Sequence, residues 1–210
     1  MPRGPTPLRS GKRERTKARN RARLLESARK VFAHRHFEGT CVRDIVRASG
    51  LSVGTFYEYF RSKEQIFAAV AAEAVSALRR RLRAVRRDRS LPFDERMRRA
   101  YLAYFEFVVE ERPLFAVLER QLWPLHAEAQ APALALAVRE LREDLLPDLA
   151  PGIGPAEADA LAAAMVGSGM LVGRQMLVRH DLVPGEAARI CTQFALHGLK
   201  RPLVSRRRTG

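Results

Sequence analysis

Between Thr40 and Lys63 the chain reads TCVRDIVRASGLSVGTFYEYFRSK, and two short helices joined by a glycine turn are the natural fit to that pattern. Thr40 is the expected N-cap of the first helix, its hydroxyl accepting from an amide two or three residues on, with Asp44 near the positive end of the helix dipole. Val42, Ile45 and Ser49 share an inward face, Gly50 takes the left-handed conformation that stops the helix, and Leu51 plugs the core at the turn. Ser52 caps the second helix, where Phe56 and Phe60 at i and i+4 fix the buried side. Val53, Gly54, Thr55, Tyr57 and Tyr59 are left facing outward. A glycine inside a helix costs about 1 kcal/mol relative to alanine, so Gly54 points to another molecule approaching the backbone closely. Ser62 to Gln65, SKEQ, is a capping-box pattern that opens a third helix and puts Lys63 in its first turn.

Charge says what could approach. The chain carries 38 Lys and Arg against 23 Asp and Glu, and the +15 excess is uneven: residues 1–89 hold 23 cations against 8 anions, residues 90–210 hold 15 against 15. A basic module joined to a balanced domain fits nucleic-acid binding. Residues 1–17 are expected to be a disordered basic arm, and the stretch from Arg3 to Arg23 either follows a DNA backbone or serves as a solubilising tail. A second basic run, Arg79 to Arg89, is expected to be the solvated end of a long helix, and residues 201–210 a basic tail.

From about Arg23 to Val70 the combined pattern FEGT, VRDI, ASGLS, GTFYEYF and SKEQ resembles, position by position, the DNA-binding domain of the TetR/AcrR family of bacterial repressors. The resemblance covers about a quarter of the chain and implies that the second helix of the pair enters the major groove. It further implies that Arg43 reaches a base or an adjacent phosphate, and that Val53 and Gly54 lie against base edges. Thr55, Tyr57, Tyr59 and Lys63 would grip phosphates, beside Ser52 at the helix start, with Tyr57 also able to meet a thymine methyl. Many members carry Lys where this chain has Val53, so that base pair would be read by apolar contact. The bland alternatives are a solvated charge at Arg43 and packing at Tyr57; Lys63 at a helix start sits badly with the dipole, which favours an external anion.

Beyond Val70 the sequence is rich in Ala and Leu with helical periodicity, and prolines stand where helices begin. Helices are predicted near Lys63–Arg87, Pro92–Glu111, Pro113–Leu122, Ala131–Leu149, Pro155–Arg179 and Pro184–Leu199. The expectation is an all-α chain of about nine helices: a three-helix DNA-binding domain over 18–78 with its motif at 41–60, then a helical effector-binding and dimerisation domain over 79–200. The aromatic stripe on the Pro92–Glu111 segment is by itself more often core than pocket. With the resemblance, which implies a small apolar or amphipathic effector, a pocket is placed near Tyr101, Phe105, Trp123 and Met165. Gly167, Ser168, Gly169 and Gly173 interrupt a good helix, either for close subunit packing in the homodimer the family implies or as a kink beside the pocket.

No catalytic residue, metal ligand or cofactor is expected. GSG at 167–169 lacks the spacing of a nucleophile elbow, the histidines are scattered, and Cys41 and Cys191 fit no metal pattern; Cys41 is better read as a small buried filler than as a thiol that senses oxidants. No secretory signal is legible and no apolar run approaches the ~18 residues of a membrane span, so a cytoplasmic protein is expected. Its partners would be double-stranded DNA with a near-palindromic operator, a small-molecule effector and a second copy of itself, with no membrane. The competing reading is an architectural protein that coats DNA without an effector.

Overall fold

The computed structural model describes residues 8–35, 37–115, 127–149, 151–179 and 181–200, and every regular element among them is helical. The α-helices are α1 (Leu8–His34), α2 (Val42–Ser49), α3 (Val53–Tyr59), α4 (Lys63–Arg87), α5 (Phe93–Glu110), α6 (Ala127–Leu145), α7 (Pro155–Val178) and α8 (Pro184–Lys200). A helical turn at 112–115 and a 3-10 turn at Leu146–Asp148 add to these. The chain divides into two compact units, Met1–Val75 and Ser76–Gly210, with the boundary inside α4.

In the first unit α1 packs on α2 and α2 on α3, and Leu24, Leu25, Ala28 and Phe32 of α1, Ile45 and Val46 of α2, Phe56 of α3, and Ile66 and Phe67 of α4 are all buried. Phe32, Phe37 and Phe67 form an aromatic triangle with centroids 5.1–5.7 Å apart, worth about 0.5–1.5 kcal/mol per pair beyond its buried area. Three local expectations are corrected. The N-cap of α2 is Cys41, because the Asp44 carboxylate reaches back to accept from the Cys41 amide at 2.9 Å and its thiol at 3.1 Å; Thr40 is buried instead. Cys41 is therefore exposed rather than a buried filler, whereas Cys191 is buried, which pushes its thiol pKa up to about 11. The expected disordered arm is helical from Leu8 onward. Arg, Lys, Glu and Ala lose little side-chain freedom in a helix, and the basic stretch continues a helix already anchored in the core at Leu24.

In the second unit α5 packs on α7 and α8, α6 on α7, and α7 on α8. Its core joins Met97, Tyr101 and Phe105 of α5 to Leu141 and Leu145 of α6, Met165 and Met176 of α7, and Cys191 of α8. Gly169 and Gly173 serve this packing: a Cβ at Gly169 would lie 3.4 Å from the Tyr101 ring, and one at Gly173 only 3.2 Å from Tyr104. These glycines admit α5 from the same chain, while Gly167 faces open space. α7 also corrects the reading of apolar runs. It is long and apolar enough to cross a membrane, with mean hydropathy 1.4 over its best window, because Ala, Met and Val supply hydropathy without one unbroken run. Within that window 28% is buried by the chain itself.

The basic run on α4 is not a solvated end. Arg79 and Arg83 converge on Glu140, Arg86 and Arg87 on Asp144, and Arg89 and Arg96 on Asp148. Three carboxylates at intervals of four residues thus each hold two arginines. Hydrogen bonding from Arg79 keeps the Glu140 carboxyl below its usual range; burial raises that of Asp148, but Arg89 and Arg96 outweigh it and hold it low.

Candidate nucleic-acid interface

Helix α3 is two-faced. Phe56 is fully buried and Phe60, the C-cap, nearly so, while Val53 is 44% and Tyr57 55% exposed. Ser52 caps the helix by accepting from the Thr55 amide at 3.0 Å, and its hydroxyl lies 2.9 Å from that of Thr55. Tyr57 is held by an edge-on contact with Phe56, centroids 5.4 Å apart. Ser52, Val53, Gly54 and Tyr57 therefore form one exposed surface, with Thr55 and Tyr59 half-buried at its margin and Arg43 exposed on α2.

Gly54 is not required by the fold. Its φ is ordinary, and the nearest atom to an added Cβ is the Ser52 hydroxyl at 3.8 Å. Alanine would fit and favour the helix, so Gly54→Ala is expected to stabilise the protein by about 0.5–1 kcal/mol in chemical denaturation. If DNA approaches this backbone, the same variant loses operator affinity; a variant more stable and equally tight would remove Gly54 from the interface.

Lys63 departs from its expected isolation. Its ammonium donates to the Phe37 carbonyl at 2.7 Å and lies 4.2 Å from the centre of the Phe37 ring, so an external anion is not needed to explain a lysine there. Two N–H groups remain for a phosphate.

Two anchors were not read from the sequence. Arg23 donates to the Ser49 carbonyl at 2.7 Å, satisfying the C-terminal end of α2 and placing a cation where the dipole favours one. Arg21 lies over the Phe60 ring at 5.7 Å and pairs with Glu73 at 3.5 Å. Their partners are 26 or more residues away, so no local pattern carries them. Residues 1–75 still hold 16 Lys and Arg against 7 Asp and Glu once the α4 run is set aside.

A family model described as bacterial regulatory proteins, tetR family, matches residues 24–70, the stretch from the α1 core contacts through α3 into α4. The first unit is a TetR-family DNA-binding domain. Among curated TetR-type relatives it is similar to the HTH-type transcriptional repressor DhaR of Mycobacterium sp. (strain GP1), 29% identical over 60% of this chain and 72% of that protein. It is also similar to an uncharacterized HTH-type transcriptional regulator, YdgC of Bacillus subtilis, 33% identical over 45% of this chain and 50% of YdgC. In fold it matches a TetR-like transcriptional regulator from Rhodococcus sp. RHA1, with TM-score 0.64 and 23% identity over 87% of this chain and 97% of that one. The matched stretch carries the helix-turn-helix of that family, and the relatives are transcriptional regulators, DhaR a repressor.

The residues expected to hold an effector lie in the second unit. Tyr101 and Met165 border a cavity of about 80 Å³ between α4, α5, α6 and α7; the Tyr101 hydroxyl donates to the Met165 carbonyl at 3.0 Å. Phe105 is fully buried, stacked on Tyr101 at 6.1 Å and away from the cavity, so it is a packing residue. Trp123 lies outside the described residues, as does most of the expected helix Pro113–Leu122.

Proposed function

We propose that the chain is a transcriptional repressor that binds a near-palindromic operator as a homodimer in the cytoplasm and is released by a small effector held in its second unit. The observation that carries the DNA part is the exposed Val53–Gly54–Tyr57 surface on a helix whose opposite side is locked by Phe56. Arg43, Val53 and Gly54 read sequence; Thr55, Tyr57, Tyr59 and Lys63 contact phosphates. In a dimer the two recognition helices occupy successive major grooves, about 34 Å apart.

Dimerisation is supported by the uncovered apolar sides of α7 and α8. Leu171, Val178, Ile190 and Phe194 are exposed, Phe194 at 68%, and a patch of this kind marks an interaction surface. The effector role is supported by the α4–α7 cavity. Ligand and DNA would prefer different states, so each weakens the other equally; a 100-fold loss of affinity corresponds to about 2.7 kcal/mol of coupling.

Duplexes selected by the purified protein from a random pool, titrated at several salt concentrations, separate this from a DNA-coating protein. A specific repressor prefers its selected site over random DNA by about 10³-fold or more. Equal affinity for both at every salt concentration would leave only the coating role.

A further inference from the structure

The cavity between α4, α5, α6 and α7 is lined by apolar and aromatic side chains and by one charged residue, Arg86. Arg86 is 8% exposed, and its hydrogen bond among the described residues runs from Nε to Asp144 at 2.9 Å. The other Asp144 oxygen accepts from Arg87 at 2.7 Å, so that carboxylate cannot grip Arg86 with both oxygens. The two terminal nitrogens of Arg86 are left without a hydrogen bond to the described residues, beside an opening that Arg86 itself borders. Neither terminal nitrogen is among the fully buried unpaired atoms, so both stay within reach of an anion entering the opening, and an apolar wall strengthens such a pairing. Burial lowers its pKa despite Asp144, so its charge is under-compensated where it stands.

The surroundings supply cations in excess. Each carboxylate of the Glu140–Asp144–Asp148 row already serves two arginines, and no carboxylate lines the cavity. The phenols there do not compete as anions, since burial pushes the Tyr101 pKa up to about 12 and that of Tyr104 higher still. The other side chains of the wall, Leu82, Met97, Ala100, Leu141, Met165 and Val166, are apolar, and Gly169 completes it.

We propose that this cavity binds a short-chain aliphatic carboxylate, with its head group on the terminal nitrogens of Arg86 and its chain among Met97, Leu141 and Met165. Guanidinium and carboxylate match as two parallel N–H···O bonds, which a neutral head group cannot reproduce. The volume of about 80 Å³, well below the ~300 Å³ at which drug-sized sites begin, limits the occupant to a few carbons. The assignment rests on the reading of the second unit as the effector-binding one, and it names the class of that effector.

Calorimetric titration of the full chain with butyrate and hexanoate, against 1-butanol and 1-hexanol, tests it. An acid is expected to bind saturably and about tenfold or more tighter than the alcohol of equal length, with Arg86→Gln erasing the margin. Val166→Phe, which narrows the cavity, is expected to abolish binding; thermal melts of both variants report whether they fold. Absence of binding, equal affinity for acid and alcohol, or a margin that survives in folded Arg86→Gln would overturn the assignment. Adding operator DNA separates the two readings. Acid bound with the margin but without release of DNA keeps the site and removes its effector role, whereas alcohols that release DNA as well as acids keep the effector role and remove the head-group assignment.

Discussion

Asp144→Ala will destabilise the second unit by about 3–5 kcal/mol, the usual cost of leaving a buried charge without its partner. The Asp144 side chain is 1% exposed and pairs with both Arg86, itself buried, and Arg87. Removing it strands the Arg86 guanidinium in an apolar wall. Arg87→Ala is the control: Arg87 is half exposed, so its loss should cost far less than that of Asp144. Urea unfolding followed by Trp123, the single tryptophan and part of the second unit's sequence, reads both variants. Equal small losses would mean that the arginine row is solvated in solution. Acid should weaken the same row. The Glu140 and Asp148 carboxyls are held below their unfolded values, so their contribution is complete above those values and fades as pH falls through the folded ones.

The second large effect is on association. Phe194→Glu places a charge on the most exposed large apolar residue of the uncovered α8 side and should convert a dimer into a monomer in sedimentation equilibrium. Two linked half-site contacts then become one, and operator affinity should drop by about 100-fold or more. Because Phe194 is exposed, the fold should be little affected, within about 0.5 kcal/mol. A variant that stays dimeric and binds DNA normally would move the subunit interface elsewhere.

The parts of this molecule that sequence revealed are those governed by neighbours three and four residues away. Gly50 takes φ 63° and closes α2, Ser52 caps α3, Phe56 is buried, and α4 runs from Lys63 to Arg87 as its pattern requires. The parts it hid depend on distant partners. Arg79, Arg83, Arg86, Arg87 and Arg89 read as solvated because the acids that hold them lie 57 to 61 residues away, on α6 and the turn after it. Gly169 and Gly173 left subunit packing and a kink beside the pocket both open, because nothing local says that Tyr101 and Tyr104 of the same chain press against them. Thr40 lost the cap of α2 to Cys41 by one residue, settled by where the Asp44 carboxylate could reach. On the DNA side, the outward face of α3 was legible, but the Phe37 carbonyl under Lys63 was not.

The most direct test of the α3 surface as the reader of DNA sequence is a comparison of the sites selected from a random pool by the native protein and by Val53→Lys. Val53 opens the recognition helix, is 44% exposed and supports nothing in the core, so a lysine there should leave the fold intact. The expected result is a changed base preference at one position in each half-site, with the remaining positions and the half-site spacing retained. Identical preferences for the two proteins would contradict the placement of α3 against the bases.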